Sequence, residues 1–269
     1  MVPLTCDNCD EIPDNIVLSN TGELIMIKLI YENVKKLPKI GRGPMFNKGD
    51  YRFHYMYFNF LPEIPEEWSL NNISFPAELH LVFYNERREN YENALERDEG
   101  IVIVSMGFQV QEVNASTFLP LIINELSNIR SVGKNTTLPV VAAKLPFSSF
   151  LPHSLEHYHT YEGTMLSPRA PSHTTCKSRV IWIDFDETHK IPADYIHEFF
   201  MLKTFVGFSH LSYDHDYGMP RTQIRFDKRN MDPEVRENTK QLLENGQDKM
   251  KHFMSPWTLW RFVMLVLIL

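Results

Sequence analysis

The sequence predicts a mainly β domain of the α+β class, and three observations carry that expectation. Apolar and polar residues alternate over Ile16 to Leu29 and again over Tyr51 to Phe60, which is the period of half-buried strands. Phe75 to Tyr84 and Ile101 to Val110 are largely apolar runs of strand length, suited to the middle of a sheet. The helical patterns are short and lie between or after these runs.

The first two strand regions are punctuated by the turn-rich stretch LPKIGRGPMFNKGD. Between the apolar runs, ENYENALERDEG reads as a short helix ended by Gly100. Thr117 to Val132 sets Phe118, Leu121, Ile122, Leu126 and Ile129 on one stripe, with Asn124, Asn128 and Arg130 off it, the pattern of an amphipathic surface helix. Val180 to Phe185 is a further strand and Ala193 to Lys203 a further helix. Asp232, Pro233 and Glu234 make a good helix start for a polar stretch, 231–252, that reads as a spacer outside the globular domain of residues 1–230.

The chain has 269 residues, 43% of them hydrophobic, enough to bury a sizeable core. A net charge of -7 without a long basic run argues against a nucleic-acid partner. Three cysteines, Cys6, Cys9 and Cys176, are too few for a disulfide scaffold, and one CxxC without a second pair is weak evidence for zinc, so Cys6 and Cys9 read as ordinary thiols. MVPLTCDNCDEIPDN lacks a charged region followed by an apolar core, so no signal peptide is visible in the sequence as given.

Residues 253–269 form an apolar tail broken by Arg261, shorter than the roughly 20 residues of a spanning helix. Asn245 and Gly246, a polar spacer and this tail loosely fit a GPI-attachment signal; a partial transmembrane segment and an amphipathic or core-docking segment are the other readings. Membrane attachment through the tail is the expectation.

Seven collinear segments carry a resemblance: SNTGE, GPMFNKGDYRFHYMYFNF, FPAELHLVFYN, ALERDEGIVIVSMGFQV, ELSNIRSVGK, FLPHSLEHYHTYEGTMLSP and CKSRVIWIDF. Together, over about Pro3 to Arg229, they resemble the α-class carbonic anhydrases. The resemblance implies a single domain with a large twisted, mostly antiparallel central sheet. The family's usual N-terminal flank, with its Gln-Ser-Pro-Ile type motif, has no counterpart here, the family's Arg-Pro element reads Met219-Pro220, and RAPSHTT lengthens the loop before Cys176. Cys176 stands where secreted and membrane-bound relatives place half of a disulfide, which points to an extracellular protein. Sequons at Asn72, Asn114 and Asn135 are glycosylation candidates consistent with that route.

In this family one strand supplies two zinc-binding histidines two residues apart, on one face of the sheet, and the next strand supplies a third. The first two positions here are Tyr57 and Asn59, and only His80 remains. A phenol with a pKa near ~10 and a carboxamide oxygen are poor zinc ligands, so no metal is expected. His54, three residues before Tyr57, belongs on the opposite face of a regular strand. The family's threonine that orients the zinc-bound hydroxide corresponds to Leu166, which neither donates nor accepts, and the proton-shuttle histidine to Glu23. The threonine's glutamate partner remains as Glu67, and the carboxylate that orients the third ligand remains as Glu78. His153, His157 and His159 in HSLEHYH make a weak candidate for a rearranged metal site.

The resemblance therefore implies a pseudo-enzyme: a non-catalytic carbonic anhydrase-related protein used as an extracellular binding or interaction domain. Its partner would be an unidentified protein or glycan, since silent family members bind proteins or, in poxvirus envelopes, glycosaminoglycan. A polyanion would need a basic patch such as Lys35, Lys36, Lys39 and Arg42. The alternative is a zinc-dependent carbonate dehydratase, hydrating carbon dioxide with an altered site.

Overall fold

The computed structural model describes residues 2–22, 24–60, 77–111, 115–138, 145–166, 177–204 and 207–208. Thirteen strands among them are β1 (Leu4–Asp7), β2 (Asn15–Asn20), β3 (Ile25–Ile30), β4 (Lys39–Arg42), β5 (Tyr51–Phe60), β6 (Ala77–Asn85), β7 (Ile101–Val110), β8 (Asn135–Leu138), β9 (Tyr158–Leu166), β10 (Lys177–Phe185), β11 (His189–Ile191), β12 (Lys203–Thr204) and β13 (Gly207–Phe208). Eleven of them form one sheet, in the order β8-β2-β3-β5-β6-β7-β10-β9; β4 joins β5 and carries β1, and β11 joins β7. Every pairing in that sheet is antiparallel except β7 with β10 and with β11, so the sheet is mixed, with antiparallel pairs dominant.

The central strands β6 and β7 are buried on both faces, which is why their sequences are almost continuously apolar rather than alternating. One face packs the main core, with Ile25, Ile27, Met56, Phe58, Leu79, Leu81, Val104 and Ile183 against Phe118, Phe147, Phe150 and Phe199. The other face carries a second, smaller cluster of Tyr55, Tyr57, Val82, Ile103 and Trp182 under α1 (Tyr91–Leu95). That helix is capped by Asn90, whose side chain accepts from the Asn93 amide. The helix stops at Leu95, with Glu96 as its C-cap, short of the expected end at Gly100; a Cβ at Gly100 would lie 2.0 Å from the Ala94 carbonyl oxygen.

The amphipathic stretch after Thr117 folds as α2 (Leu119–Glu125) followed by a 3-10 turn over Leu126–Ile129. Phe118, Leu119, Ile122, Leu126 and Ile129 are buried, while Leu121 is only partly so. The helix expected from Ala193 stops sooner: α3 is Ala193–Phe200, and Lys203 already belongs to β12.

Two further expectations are corrected. Cys6 and Cys9 are joined in a disulfide rather than being free thiols, with Cα atoms 5.8 Å apart. In β5 the register slips between Phe53 and Tyr55, opposite Phe83 and Val82. The bulge inverts side-chain parity, so Phe53 faces the main core with Phe83, whereas Tyr55, Tyr57 and Asn59 share the other face. His54, the extra residue, lies with that second group: its ring stacks on Tyr91 at 4.1 Å and meets Tyr55 edge-on at 5.3 Å. The regular-strand expectation that it faces away is overturned by the bulge.

Candidate functional site

The site lies on the sheet face that carries the smaller cluster. Antiparallel register sets Tyr57 directly opposite His80, and Asn59 directly opposite Glu78. All four are buried, with His80 at 0% exposure and Tyr57 at 9%. The His80 ring is held on both sides. Its Nε2 lies 2.9 Å from Glu78 Oε2, and its Nδ1 lies 2.9 Å from the Tyr57 hydroxyl.

In the tautomer that donates Nε2–H to the Glu78 carboxylate, Nδ1 keeps its lone pair and accepts the Tyr57 O–H. The three side chains form a directed chain from phenol to imidazole to carboxylate. Asn59 Nδ2 makes a long contact of 3.5 Å with the same Glu78 oxygen.

Aromatic edges fix the imidazole as well. Tyr57 and Trp182 meet it nearly perpendicular, at centroid distances of 5.0 and 5.3 Å. Trp182 in turn stacks on Tyr161 with their planes 5° apart. Gly163 leaves room for that indole, since a Cβ there would come within 2.6 Å of Trp182 Cδ1 and Nε1.

The row containing His80 continues across the sheet. Ser105 stands opposite His80, Asp184 opposite Ser105, and His159 opposite Asp184, so a stripe of polar residues crosses this face. Ser105 and Asp184 are buried. No motif spacing picks out these two residues; their only signal is a polar letter inside an apolar strand run.

His54, on the same face, has its pKa lowered to about 4, first by burial and then by the Lys28 charge, with Glu92 opposing. It is neutral at physiological pH and packs as an aromatic ring.

The other candidates do not join this group. His159 Nε2 lies 3.0 Å from Asp186 Oδ1, and His153 pairs with Glu187. Burial raises the Glu187 pKa, but the His153 contacts outweigh it and hold the carboxyl below its usual range. Two members of the His153, His157 and His159 candidate, His153 and His159, thus face separate carboxylates, Glu187 and Asp186. Among the described residues no three His, Cys, Asp or Glu side chains are grouped so as to hold a metal ion.

Within the basic patch, Lys36 pairs with Glu11 at 2.8 Å and Lys39 with Glu86 at 2.6 Å, so two of its four charges are offset. Leu166 closes β9 opposite Lys177. Asn135 is exposed at the start of β8. Glu23, Glu67, Asn72, Asn114, Cys176, the 231–252 spacer and the 253–269 tail lie outside the described residues. Among the described residues no helix is long and apolar enough to cross a membrane.

Residues 1–216 match the family model for eukaryotic-type carbonic anhydrase, and the chain belongs to that family. It is 27% identical over 165 residues to "Carbonic anhydrase 6" of Canis lupus familiaris, covering 60% of this chain and 48% of that protein. It is 27% identical over 205 residues to "Carbonic anhydrase-related protein" of Rattus norvegicus, covering 76% of this chain and 63% of that protein. To "Carbonic anhydrase 3" of Bos taurus it is 22% identical over 173 residues, 63% of this chain and 60% of that protein. The chain thus spans about half the length of the first of these relatives, and less than two thirds of the other two.

Proposed function

We propose that this chain is a non-catalytic member of the carbonic anhydrase family, an extracellular domain that binds a protein or glycan partner and holds no zinc. One observation carries the reading: the Tyr57 hydroxyl is hydrogen-bonded to Nδ1 of His80, at the lone pair this imidazole would need for a metal. The second ring nitrogen is engaged by Glu78.

The donor set does not fit zinc. Catalytic zinc takes three good protein ligands and keeps an open fourth position for water. Imidazole, phenol and carboxamide at His80, Tyr57 and Asn59 offer one good ligand, and both of its ring nitrogens are already engaged by Tyr57 and Glu78.

Similarity to a relative named carbonic anhydrase-related protein supports the family membership on which this reading rests. The Cys6–Cys9 disulfide supports an oxidising, extracellular compartment, and the exposed Asn135 sequon supports glycosylation. Attachment to a membrane through residues 253–269 belongs to this proposal and rests on the sequence alone.

The test is zinc stoichiometry by mass spectrometry on purified protein, beside a Tyr57→His, Asn59→His double variant. Metal-free wild type and a double variant with one zinc are the expected pair. One tightly bound zinc in wild type would overturn the proposal and turn attention to carbon dioxide hydration.

A further inference from the structure

We propose that the Cys6–Cys9 bridge is a thiol–disulfide exchange site for a dithiol reductant, and that its redox state sets the order of the neighbouring segment 33–38. Four observations place it.

First, the sulfurs stay neighbours after the bond opens. Cys6 is fixed in β1 opposite Ile40, and the Cys9 carbonyl accepts the Ser148 amide at 2.7 Å. Closure is therefore intramolecular and reversible.

Second, the two cysteines are unequally buried: Cys9 is 8% exposed, and Cys6 is only partly buried at the edge of the main core. Access decides which sulfur is attacked, so an incoming thiolate meets Cys6 and Cys9 leaves.

Third, only two residues separate the cysteines. Loops this short restrain the unfolded chain least, so the bond's weight in overall stability is small and its effect is local.

Fourth, that local effect has a target. Asn8, inside the ring, sits in the left-handed region at φ 61°. Its side-chain amide donates to the Lys35 carbonyl at 2.7 Å and to the Leu37 carbonyl at 3.2 Å. The bridge holds the turn, and the turn clamps the exposed segment that bears Val34, Lys35 and Lys36.

A thiolate of the dithiol attacks Cys6 Sγ, and the electron pair of the Cys6–Cys9 bond leaves on Cys9 Sγ, which takes a proton. The second thiol of the partner then attacks its own sulfur in the mixed disulfide and releases Cys6 as a thiol. The partner becomes a disulfide, losing two electrons and two protons, and the pair Cys6 and Cys9 gains both.

The experiment uses the full chain carrying Cys176→Ser, titrated with dithiothreitol at neutral pH without denaturant. Alkylation of Cys6 and Cys9 is counted by mass spectrometry while amide hydrogen exchange is followed. The expected result is that both become alkylated together while β5 and β6 stay protected. Exchange at Lys36 and Leu37, whose amides donate to Asn33 and Val34, rises roughly tenfold and returns on reoxidation. A Cys6→Ser, Cys9→Ser variant reproduces the reduced pattern. Reduction that requires denaturant, reduction that leaves Lys36 and Leu37 unchanged, or a double variant that fails to fold would each overturn the proposal.

Discussion

Tyr57 stands directly opposite His80 across β5 and β6, and its hydroxyl lies 2.9 Å from a ring nitrogen of a histidine with no exposed surface. Losing one partner of a buried hydrogen bond costs about 1–3 kcal/mol. Tyr57→Phe keeps the ring and its edge contact with the imidazole while deleting that bond. The unfolding free energy should fall by that amount, read as a lower urea midpoint at unchanged slope. An unshifted midpoint would mean the hydroxyl contributes nothing to holding His80.

Gly163 and Trp182 are a second coupled pair. A methyl group at Gly163 would sit 2.6 Å from the indole, and the indole is confined by Tyr161 on its face and His80 at its edge. Overpacking of this kind costs about 1–3 kcal/mol. Gly163→Ala should lower thermal stability and change the near-ultraviolet circular dichroism as Trp182 is displaced. Wild-type spectra together with wild-type stability would show that the indole has more freedom than these contacts allow.

Much of this was legible in the sequence, and the exceptions have physical causes. The strands from Asn15 to Val110 follow alternation and apolar runs because those patterns report burial; Tyr57 and Asn59 share a face by period-two geometry, and His80 joins them in sequence only through the family resemblance. The face on which His54 lies was not legible: a single extra residue inverts parity, and bulges leave no reliable mark in sequence. The bond between Tyr57 and His80 is a matter of register across strands distant in sequence. So is the stripe through Ser105 and Asp184. The Cys6–Cys9 pairing was masked by a spacing that suits thiols, metal and disulfide alike.

Asn135 begins β8, which is an edge strand of the sheet among the described residues, and its side chain is exposed. A glycan there would shield an open edge from pairing with another chain. Protein secreted from eukaryotic cells should lose mass at this site on treatment with a peptide N-glycosidase. Asn135→Gln should lose the same increment, and an unmodified Asn135 in secreted protein would count against occupancy.

Acid sensitivity follows from two histidines that the fold keeps neutral. His54 and His189 both have pKa values lowered from 6.5 to about 4, in each case chiefly by burial. For His189 the Phe150 carbonyl works against the shift, and at His54 the nearby Lys28 adds to it. The unfolded chain binds these protons below pH ~6.5 and the native protein only near ~4, so stability is full above the upper value and falls as pH drops through the window. Between pH 7 and 5 His189 should remove up to about 2 kcal/mol, and the partly exposed His54 less, because solvent screens its charge. His54→Phe keeps the stack on Tyr91 and removes the titration, so its unfolding free energy should fall less steeply with acid than that of wild type. Denaturant titrations at the two pH values measure the difference directly. Parallel pH dependence in the two proteins would mean that His54 takes up its proton in the folded state as readily as in water.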